Sequence, residues 1–366
     1  MFKKAKKFIA LALMSFLVSG CGGTPSPASD QDVEKTFTNP VWEPILADPT
    51  IIRDDNGTFY VYGTQDSAEW GEDFYGVSYL PILSSQDLVN WKYEDSVFKM
   101  FNAPMWGTQG AGLWAPDVVK IGDRYNVYYS LSTWGDENPG IGVASASSPL
   151  GPFVDHGKIL DSVDSNVGNS IDPGVNVEPD GRVYMTWGSF SGIYMVELTE
   201  DGLSVKGDPK DRILIAGVDG GPWNVSSYEG AYIRKINDYY YLFLSTGTCC
   251  AGHNSSYRVV VARSENIDGP YVDHAGVKMA GTLSRGSKVL DSNDEFVGVG
   301  HNSLIKDDAG DWWILYHGFD LREPERYGNT NRRSLLIDKL LWDENGWPYV
   351  EGYGASRGSD VPFIQT

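Results

Sequence analysis

The sequence predicts an all-β fold, a five-bladed β-propeller, and its repeats and composition support this prediction. One pattern occurs five times along the 366 residues, at intervals of 55 to 72 residues. Each copy has an ionisable residue beside Pro, Gly or Asn, a short apolar strand, a polar turn and an aromatic-rich strand, which indicates a β-hairpin. Aromatic residues make up 13% of the chain and Gly numbers 42, as suits many short strands and turns. The copies begin at Asp48, Asp117, Asp172, Glu229 and His301.

The spacing of the repeats predicts how the hairpins are arranged. Each interval leaves room for two further strands, and self-similar units of this size favour four-stranded blades around a central channel. A second similarity, between residues 141–153 and 259–271, also indicates equivalent blades. If each pattern forms the innermost strand, the five ionisable residues occupy equivalent positions at one mouth of the channel. The residues after His301 suffice to complete the fifth blade and close the ring.

The N-terminus has the pattern of a bacterial lipoprotein signal. Four lysines precede an apolar run at residues 8–18 that is short for a membrane span, and a small-residue segment ends at Cys21. We therefore predict a signal peptide at 1–20, a lipidated flexible tether at 21–38 and the propeller at 39–366. The expected location is outside the cytoplasm, lipid-anchored at the outer membrane or cell surface of a bacterium.

Charge and cysteine content limit the possible partners. A formal charge of −20 disfavours nucleic acid and polyanionic substrates, whereas a neutral polymer is unaffected by it. We expect a monomer. The adjacent residues Cys249 and Cys250 are compatible with a strained disulfide in an exported protein or with two buried thiols, and the sequence leaves both open.

The ring of ionisable residues suggests glycosidic bond cleavage, which needs one protonated and one ionised carboxyl group. Glu229 has aromatic neighbours that would desolvate it and raise its pKa, so we predict that it is the acid. Asp48 and Asp172 both precede Pro, and either could be the base. For Asp117 we expect a structural role, and for His301 a ligand or metal role is as plausible as a structural one.

The motifs together resemble glycoside hydrolase family 43, and especially its α-L-arabinanase branch. The resemblance covers residues 39–350 and implies inverting hydrolysis. It implies that Asp48 is the general base, Glu229 the general acid and Asp172 the residue that modulates the pKa of the acid. The motifs are ADPTII (47–52), LWAPDV (113–118), NSIDP (169–173), WGSF (187–190), SYEGAYI (227–233), CCAGHNSSYRVVVARS (249–264) and GVGHNS (298–303).

The resemblance also implies a substrate and a bound ion. The substrate would be plant cell-wall arabinan and arabino-oligosaccharides, contacted by Asn169, Ser189 and Phe190. Trp114 and Trp134, which lie at the two ends of an inner hairpin, would be aromatic residues of the groove. A largely water-ligated Ca²⁺ would lie near His301. Two departures from the family pattern fall on the substrate surface: Ala47 stands where many arabinanases have His, and Ser191 where Trp is common.

Several functions remain open at this stage. The leading hypothesis is endo-acting hydrolysis of α-1,5-linked arabinan by a lipid-anchored enzyme. An exo-acting arabinofuranosidase or a β-xylosidase would use the same fold, although xylosidases of this family often carry an added β-sandwich. A non-catalytic glycan-binding propeller would be expected to lack at least one of the three acids. A retaining fructan-cleaving propeller would bring its two carboxyl groups closer together than an inverting enzyme does.

Overall fold

The computed structural model of the protein describes residues 35–66, 76–221, 223–224 and 226–365. In this part of the chain a short strand, β1 (Thr36–Thr38), precedes four antiparallel sheets of four strands and a fifth sheet of three. The first sheet contains β2 (Thr50–Arg53), β3 (Phe59–Tyr62), β4 (Tyr79–Ser85) and β5 (Trp91–Phe98). The second contains β6 (Gly112–Ile121), β7 (Arg124–Ser132), β8 (Gly140–Ala146) and β9 (Val154–Asp161).

The helix α1 (Ser162–Ser165) is a single turn and leads into the third sheet. That sheet contains β10 (Gly174–Val177), β11 (Val183–Trp187), β12 (Gly192–Leu198) and β13 (Ile213–Gly217). The fourth contains β14 (Glu229–Ile236), β15 (Tyr239–Thr246), β16 (Arg258–Ser264) and β17 (Ser287–Leu290), with a 3₁₀ turn at Gly252–Asn254. The first strand of each sheet contacts the first strand of the next, so these strands form the innermost ring of the propeller.

The fifth sheet contains β18 (Phe296–Lys306), β19 (Trp312–Asp320) and β22 (Ser334–Lys339). Between the last two lies a small hairpin of β20 (Arg326–Tyr327) and β21 (Thr330–Asn331). The C-terminal part has β23 (Leu341–Trp342), β24 (Pro348–Tyr349), a 3₁₀ turn at Glu351–Tyr353 and β25 (Gly358–Asp360). The predicted five-bladed propeller is confirmed, and each of the five predicted inner hairpins is present.

The aromatic-rich strands are buried on both faces because each sheet lies between two others. Within the described part of the chain, five apolar clusters each join one sheet to the next. Strand β15 shows the alternation: Tyr241 and Phe243 pack toward the fifth sheet, and Leu242 and Leu244 pack toward the third. Continuous apolar runs of this kind are typical of strands covered on both sides.

The ring closes differently from the expectation that C-terminal residues would complete the fifth sheet. The N-terminal segment pairs with β22 instead, because Val41 N donates to Leu335 O (2.9 Å) and Leu335 N donates to Trp42 O (3.1 Å). The fold also begins before residue 39. Strand β1, inside the predicted tether, pairs with β25, and its alternation of Thr and Phe places Phe37 in the apolar cluster between the first and fifth sheets.

The predicted signal peptide and the lipidation site Cys21 lie outside the described residues, as does the tether up to residue 34. Among the described residues there is no helix of the length and hydropathy needed to cross a membrane.

Asn39 is central to the closure of the ring. Its fully buried side chain donates to Ile337 O (2.8 Å) and Ser356 O (3.0 Å) and accepts from Ile337 N (3.0 Å). We expect Asn39→Ala to lower the free energy of unfolding by about 2–4 kcal/mol, because it leaves buried backbone groups without partners. Denaturant unfolding measures this, with the exposed Asn345→Ala as control; equal stability of the two variants would contradict the assignment.

Candidate active site

The site is built on a backbone feature that recurs in all five blades. One residue within or just before each innermost strand has a left-handed backbone, which is uncommon for residues other than Gly. In three of the sheets the strand pairing is interrupted at this point, so the chain makes a local bend there. The five residues are Asp48 (φ 54°), Ala115 (φ 41°), Asp172 (φ 59°), Gly230 (φ 58°) and His301 (φ 53°).

Each of these left-handed residues is bonded to the preceding sheet of the ring. In every case its backbone N–H donates to a side chain that belongs to that sheet or adjoins it. These five bonds join neighbouring blades and fix the innermost residues around the axis. The bonds are Asp48 N to His317 Nδ1 (3.0 Å), Ala115 N to Thr64 Oγ1 (2.8 Å), Asp172 N to Ser130 Oγ (2.9 Å), Gly230 N to Asp172 Oδ2 (3.2 Å) and His301 N to Ser245 Oγ (2.8 Å).

The predicted equivalence of the five ionisable residues is therefore correct for only three of them. Asp48, Asp172 and His301 occupy the left-handed position. Glu229 lies one residue before it, and Asp117 lies two residues after it in β6. Local sequence could not reveal this offset, because it depends on which residue of each copy adopts the left-handed backbone.

Asp117 has a structural role, as expected. Its two carboxylate oxygens accept hydrogen bonds from Thr50 Oγ1 (2.7 Å) and from Val175 N (2.6 Å). These partners belong to the first and third sheets, while Asp117 belongs to the second, so the carboxyl group joins three blades near the axis. Burial raises its pKa to about 6, although both hydrogen bonds oppose the rise.

Asp48 is a buried carboxylate held in its charged form. Burial alone would raise its pKa, but the positive charge of Arg333 holds it well below the ordinary value, with further contributions from His301 and His317. Arg333 Nη1 lies 2.9 Å from Oδ1, and Thr64 Oγ1 donates to Oδ2 at 2.5 Å. The nearest imidazole nitrogens of His301 and His317 lie 3.4 and 3.3 Å from Oδ1. At neutral pH this group accepts protons and does not supply them.

Glu229 differs from Asp48 because its surroundings raise its pKa instead of lowering it. Burial raises its pKa to about 7, the charge of Asp48 adds to the rise, and a hydrogen bond from Ser189 Oγ to Oε2 (2.7 Å) opposes it. The Tyr257 hydroxyl also faces Glu229, but within the described part of the chain it makes no hydrogen bond of good geometry. Near neutral pH a large fraction of Glu229 therefore carries a proton, as a general acid must.

Asp172 interacts with both of the other acids. Burial raises its pKa well above the ordinary value, and the negative charges of Glu229 and Asp48 raise it further. Its Oδ2 accepts a hydrogen bond from Gly230 N, the residue after Glu229. Asp172 and Glu229 therefore compete for protons as a coupled pair.

The three acids open into one cavity of about 510 Å³. Aromatic side chains form two of its walls. Trp114 and the largely exposed Trp134 lie with ring centroids 5.7 Å apart, and Phe190 and Trp223 lie 4.4 Å apart. The structure thus brings every predicted site residue except the lipidation site to this cavity, including Asn169, Ser189 and His301. Ala47 also lines it.

The residues around His301 include neutral oxygen atoms that could serve as ligands of a cation. Among residues 35–66, 76–221, 223–224 and 226–365, no cluster of three or more His, Cys, Asp or Glu side chains could hold a metal. A second cavity of about 10 Å³, roughly the size of one water molecule, is lined in part by His301. It is lined by Asn302 and Ser303, whose buried side-chain oxygens lack partners in the described structure. Neutral oxygens and water are ligands that Ca²⁺ accepts.

Sequence reasoning missed several groups that determine the state of the acids. Arg333 lies beside Asp48 because Leu46 N donates to Arg333 O (2.9 Å) across the closure of the ring. His317 and Thr64 could have been found, since they lie near the ends of the second strands, as Ser130 and Ser245 do. Of the two alternatives left open for Cys249 and Cys250, the structure has the disulfide. Both residues line the cavity, a position that the sequence did not predict.

A cavity that holds one buried carboxylate ionised and another protonated, beneath aromatic walls, defines the site of a glycoside hydrolase. Comparison with known proteins agrees. The model of glycosyl hydrolases family 43 matches residues 37–348, and the chain belongs to this family.

Named relatives are similar to this protein over most of the chain. The extracellular exo-α-(1→5)-L-arabinofuranosidase ArbA of Cellvibrio japonicus is 31% identical, over 83% of this chain and 86% of its own. The extracellular endo-α-(1→5)-L-arabinanase 1 of Bacillus subtilis is 32% identical, over 83% of this chain and 87% of its own. The structure of Cellvibrio cellulosa α-L-arabinanase complexed with arabinohexaose aligns with a TM-score of 0.71 and 29% identity, covering 86% of this chain and all of that one.

The contact between Arg333 and Asp48 makes a prediction about pH dependence. Loss of the guanidinium in Arg333→Gln removes the positive charge that lowers the pKa of Asp48, so this pKa should rise. Activity that requires ionised Asp48 is lost as pH falls through its pKa, so the acidic limb of the kcat/KM profile should move to higher pH. Arg332→Gln, beside it in sequence but paired with Glu43 and Glu323, is the matched control. Identical acidic limbs in both variants would contradict the prediction.

Proposed function

We propose that this protein hydrolyses α-1,5-linked L-arabinofuranosyl bonds in arabinan by a single, inverting displacement. The observation that carries the proposal is the pairing of ionised Asp48 with protonated Glu229 in one cavity. The named activities of the two relatives support the choice of an arabinan substrate.

The chemistry follows from the different states of the acids. Asp48 takes a proton from a water molecule as that water attacks the anomeric carbon. Glu229 gives its proton to the glycosidic oxygen as the bond to the leaving sugar breaks. Asp172 holds its carboxyl group near Glu229, and its negative charge when ionised disfavours loss of the proton from Glu229. Afterwards Asp48 loses a proton and Glu229 gains one by exchange with solvent, which restores the starting state.

Endo action is favoured by the position of the exposed aromatics. Trp134 is 73% exposed after β7, and Trp223 is 57% exposed between β13 and β14, so two different blades each offer an aromatic surface at the rim. A polymer bound through the cleft could contact both. Exo action is the second candidate, because the β20–β21 hairpin contributes Arg326 and Asn329 to the cavity lining and could block one end.

A product time course on linear α-1,5-arabinan tests the proposed activity. Early release of mixed oligosaccharides is the expected result, whereas a single short product would assign the exo alternative. Branched arabinan, xylan and fructan serve as comparison substrates. Hydrolysis of xylan or fructan but not of arabinan would overturn the proposal, and binding of arabinan without release would assign a capture protein.

Substitution of the three acids tests their roles. We expect Asp48→Ala and Glu229→Ala each to lower kcat by about 10²–10⁴-fold or more while the fold remains intact. Asp172→Asn removes a negative neighbour of Glu229, so the pKa of Glu229 should fall and the basic limb of the pH profile should move to lower pH. Substantial turnover in either Ala variant, or an unchanged basic limb in Asp172→Asn, would remove that residue from the mechanism.

We also propose that a cation, Ca²⁺ by resemblance to the family, binds beside His301 with Asn302 and Ser303 among its neighbours. When bound it would supply positive charge near the acids. Chelation should lower the thermal unfolding temperature, and added Ca²⁺ should restore it. An unchanged unfolding temperature together with no metal by elemental analysis would contradict this site.

Finally, we propose export and lipid anchoring through Cys21. The relatives named extracellular support export, and the N-terminal pattern supports the anchor. Cys21→Ser should release the protein from the membrane fraction of a bacterial host, whereas equal membrane retention would contradict lipidation at this residue.

A further inference from the structure

The Cys249–Cys250 disulfide has a position that the proposed reaction does not explain. Glu229 pairs with Ser245 near the end of β15, and the two cysteines follow a few residues later. They are half-buried, and both line the cavity that contains the three acids. A disulfide that served only to stabilise the loop would have no need to form part of the cavity surface.

The polar groups of this loop are engaged away from the sulfur atoms. Cys250 O accepts a hydrogen bond from Asn331 Nδ2 (3.2 Å), and Cys249 O accepts one from Ser255 Oγ (3.4 Å). His253 N donates to Glu325 Oε2 (3.2 Å), which fastens the loop to the neighbouring blade. Both carbonyl groups of the disulfide residues therefore have partners within the protein.

This surface is also the apolar part of an otherwise polar wall. The neighbouring lining of the fifth blade comes from Arg326, Asn329, Thr330 and Arg333. The opposite walls are aromatic, as described above. A furanose ring has apolar C–H groups as well as hydroxyls, and polarisable sulfur makes favourable contacts with such surfaces.

We propose that the Cys249–Cys250 disulfide is a substrate-binding surface that packs against a sugar ring bound beside Glu229. This inference deepens the proposed function and rests on it. It also makes the complete cleft dependent on an oxidising environment, in which such a bond persists, in agreement with the expected export.

The test compares binding with and without the disulfide. In an inactive Asp48→Asn background, calorimetry gives the Kd of α-1,5-arabinohexaose for the parent and for Cys249→Ser/Cys250→Ser. Loss of the sulfur surface should weaken binding about three- to tenfold. In the active enzyme KM should rise by a similar factor, while the pH limbs set by Asp48 and Glu229 stay in place. Equal Kd values for two folded proteins would overturn the proposal, even if the double variant unfolds at a lower temperature.

Reduction of the unsubstituted protein is a second test, and it does not depend on the folding of a variant. A phosphine reduces the disulfide to two thiols while it is oxidised to the phosphine oxide with water as the oxygen donor. Thiol quantification should show two new thiols, and KM should rise to the value of the double variant. The double variant itself, treated in the same way, is the control and should not change. A reduced protein with unchanged KM would overturn the proposal.

Failure of the proposed function and failure of the inference about the disulfide give different results. If the unsubstituted protein does not hydrolyse arabinan, the proposed substrate is wrong, and the same comparison applies to the polysaccharide that it does hydrolyse. If it hydrolyses arabinan and loss of the disulfide leaves both Kd and KM unchanged, only the inference about the disulfide is wrong.

Discussion

The structure depends on a ring of five backbone N–H groups that bond to side chains of the preceding sheets. Each group belongs to a residue with a left-handed backbone within or just before an innermost strand, so the same local backbone conformation occurs five times around one axis. The bonds from Asp48, Asp172 and Gly230 also fix the three acids, because Glu229 is the neighbour of Gly230. The contacts that join the blades thus also position the three acids.

This shared framework gives the acids unequal surroundings. All three are buried, which by itself disfavours the charged form of each. Asp48 overcomes this because the closure of the ring brings Arg333 against it, whereas Glu229 has mainly neutral hydroxyl groups and a like charge nearby. The difference in protonation state therefore arises from the ring closure, and residues near the N-terminus contribute to it through the pairing of Val41 and Trp42 with β22.

Local patterns predicted much of this architecture. The five inner hairpins have turn residues and aromatic strands close together in sequence, and the three acids and His301 lie at the beginnings of those hairpins. The offset of Glu229 was not predictable, because it depends on a backbone conformation. Arg333 lies 285 positions from Asp48 in the sequence, so no local pattern could predict the contact between them. The roles of His317 and Thr64 could have been predicted, since the repeats place side chains that accept hydrogen bonds at equivalent positions.

The central claim is that the fold keeps Asp48 ionised while Glu229 shares a proton with Asp172 near neutral pH. A carbon-13 NMR titration with labelled Asp and Glu carboxyl groups, assigned by single substitutions, measures this directly. The account predicts that the Asp48 signal stays in its ionised position well below the ordinary pKa of an aspartate, and that the Asp172–Glu229 pair takes up a proton near pH 7. Titration of Asp48 at or above its ordinary pKa, or of both other acids at ordinary values, would contradict it.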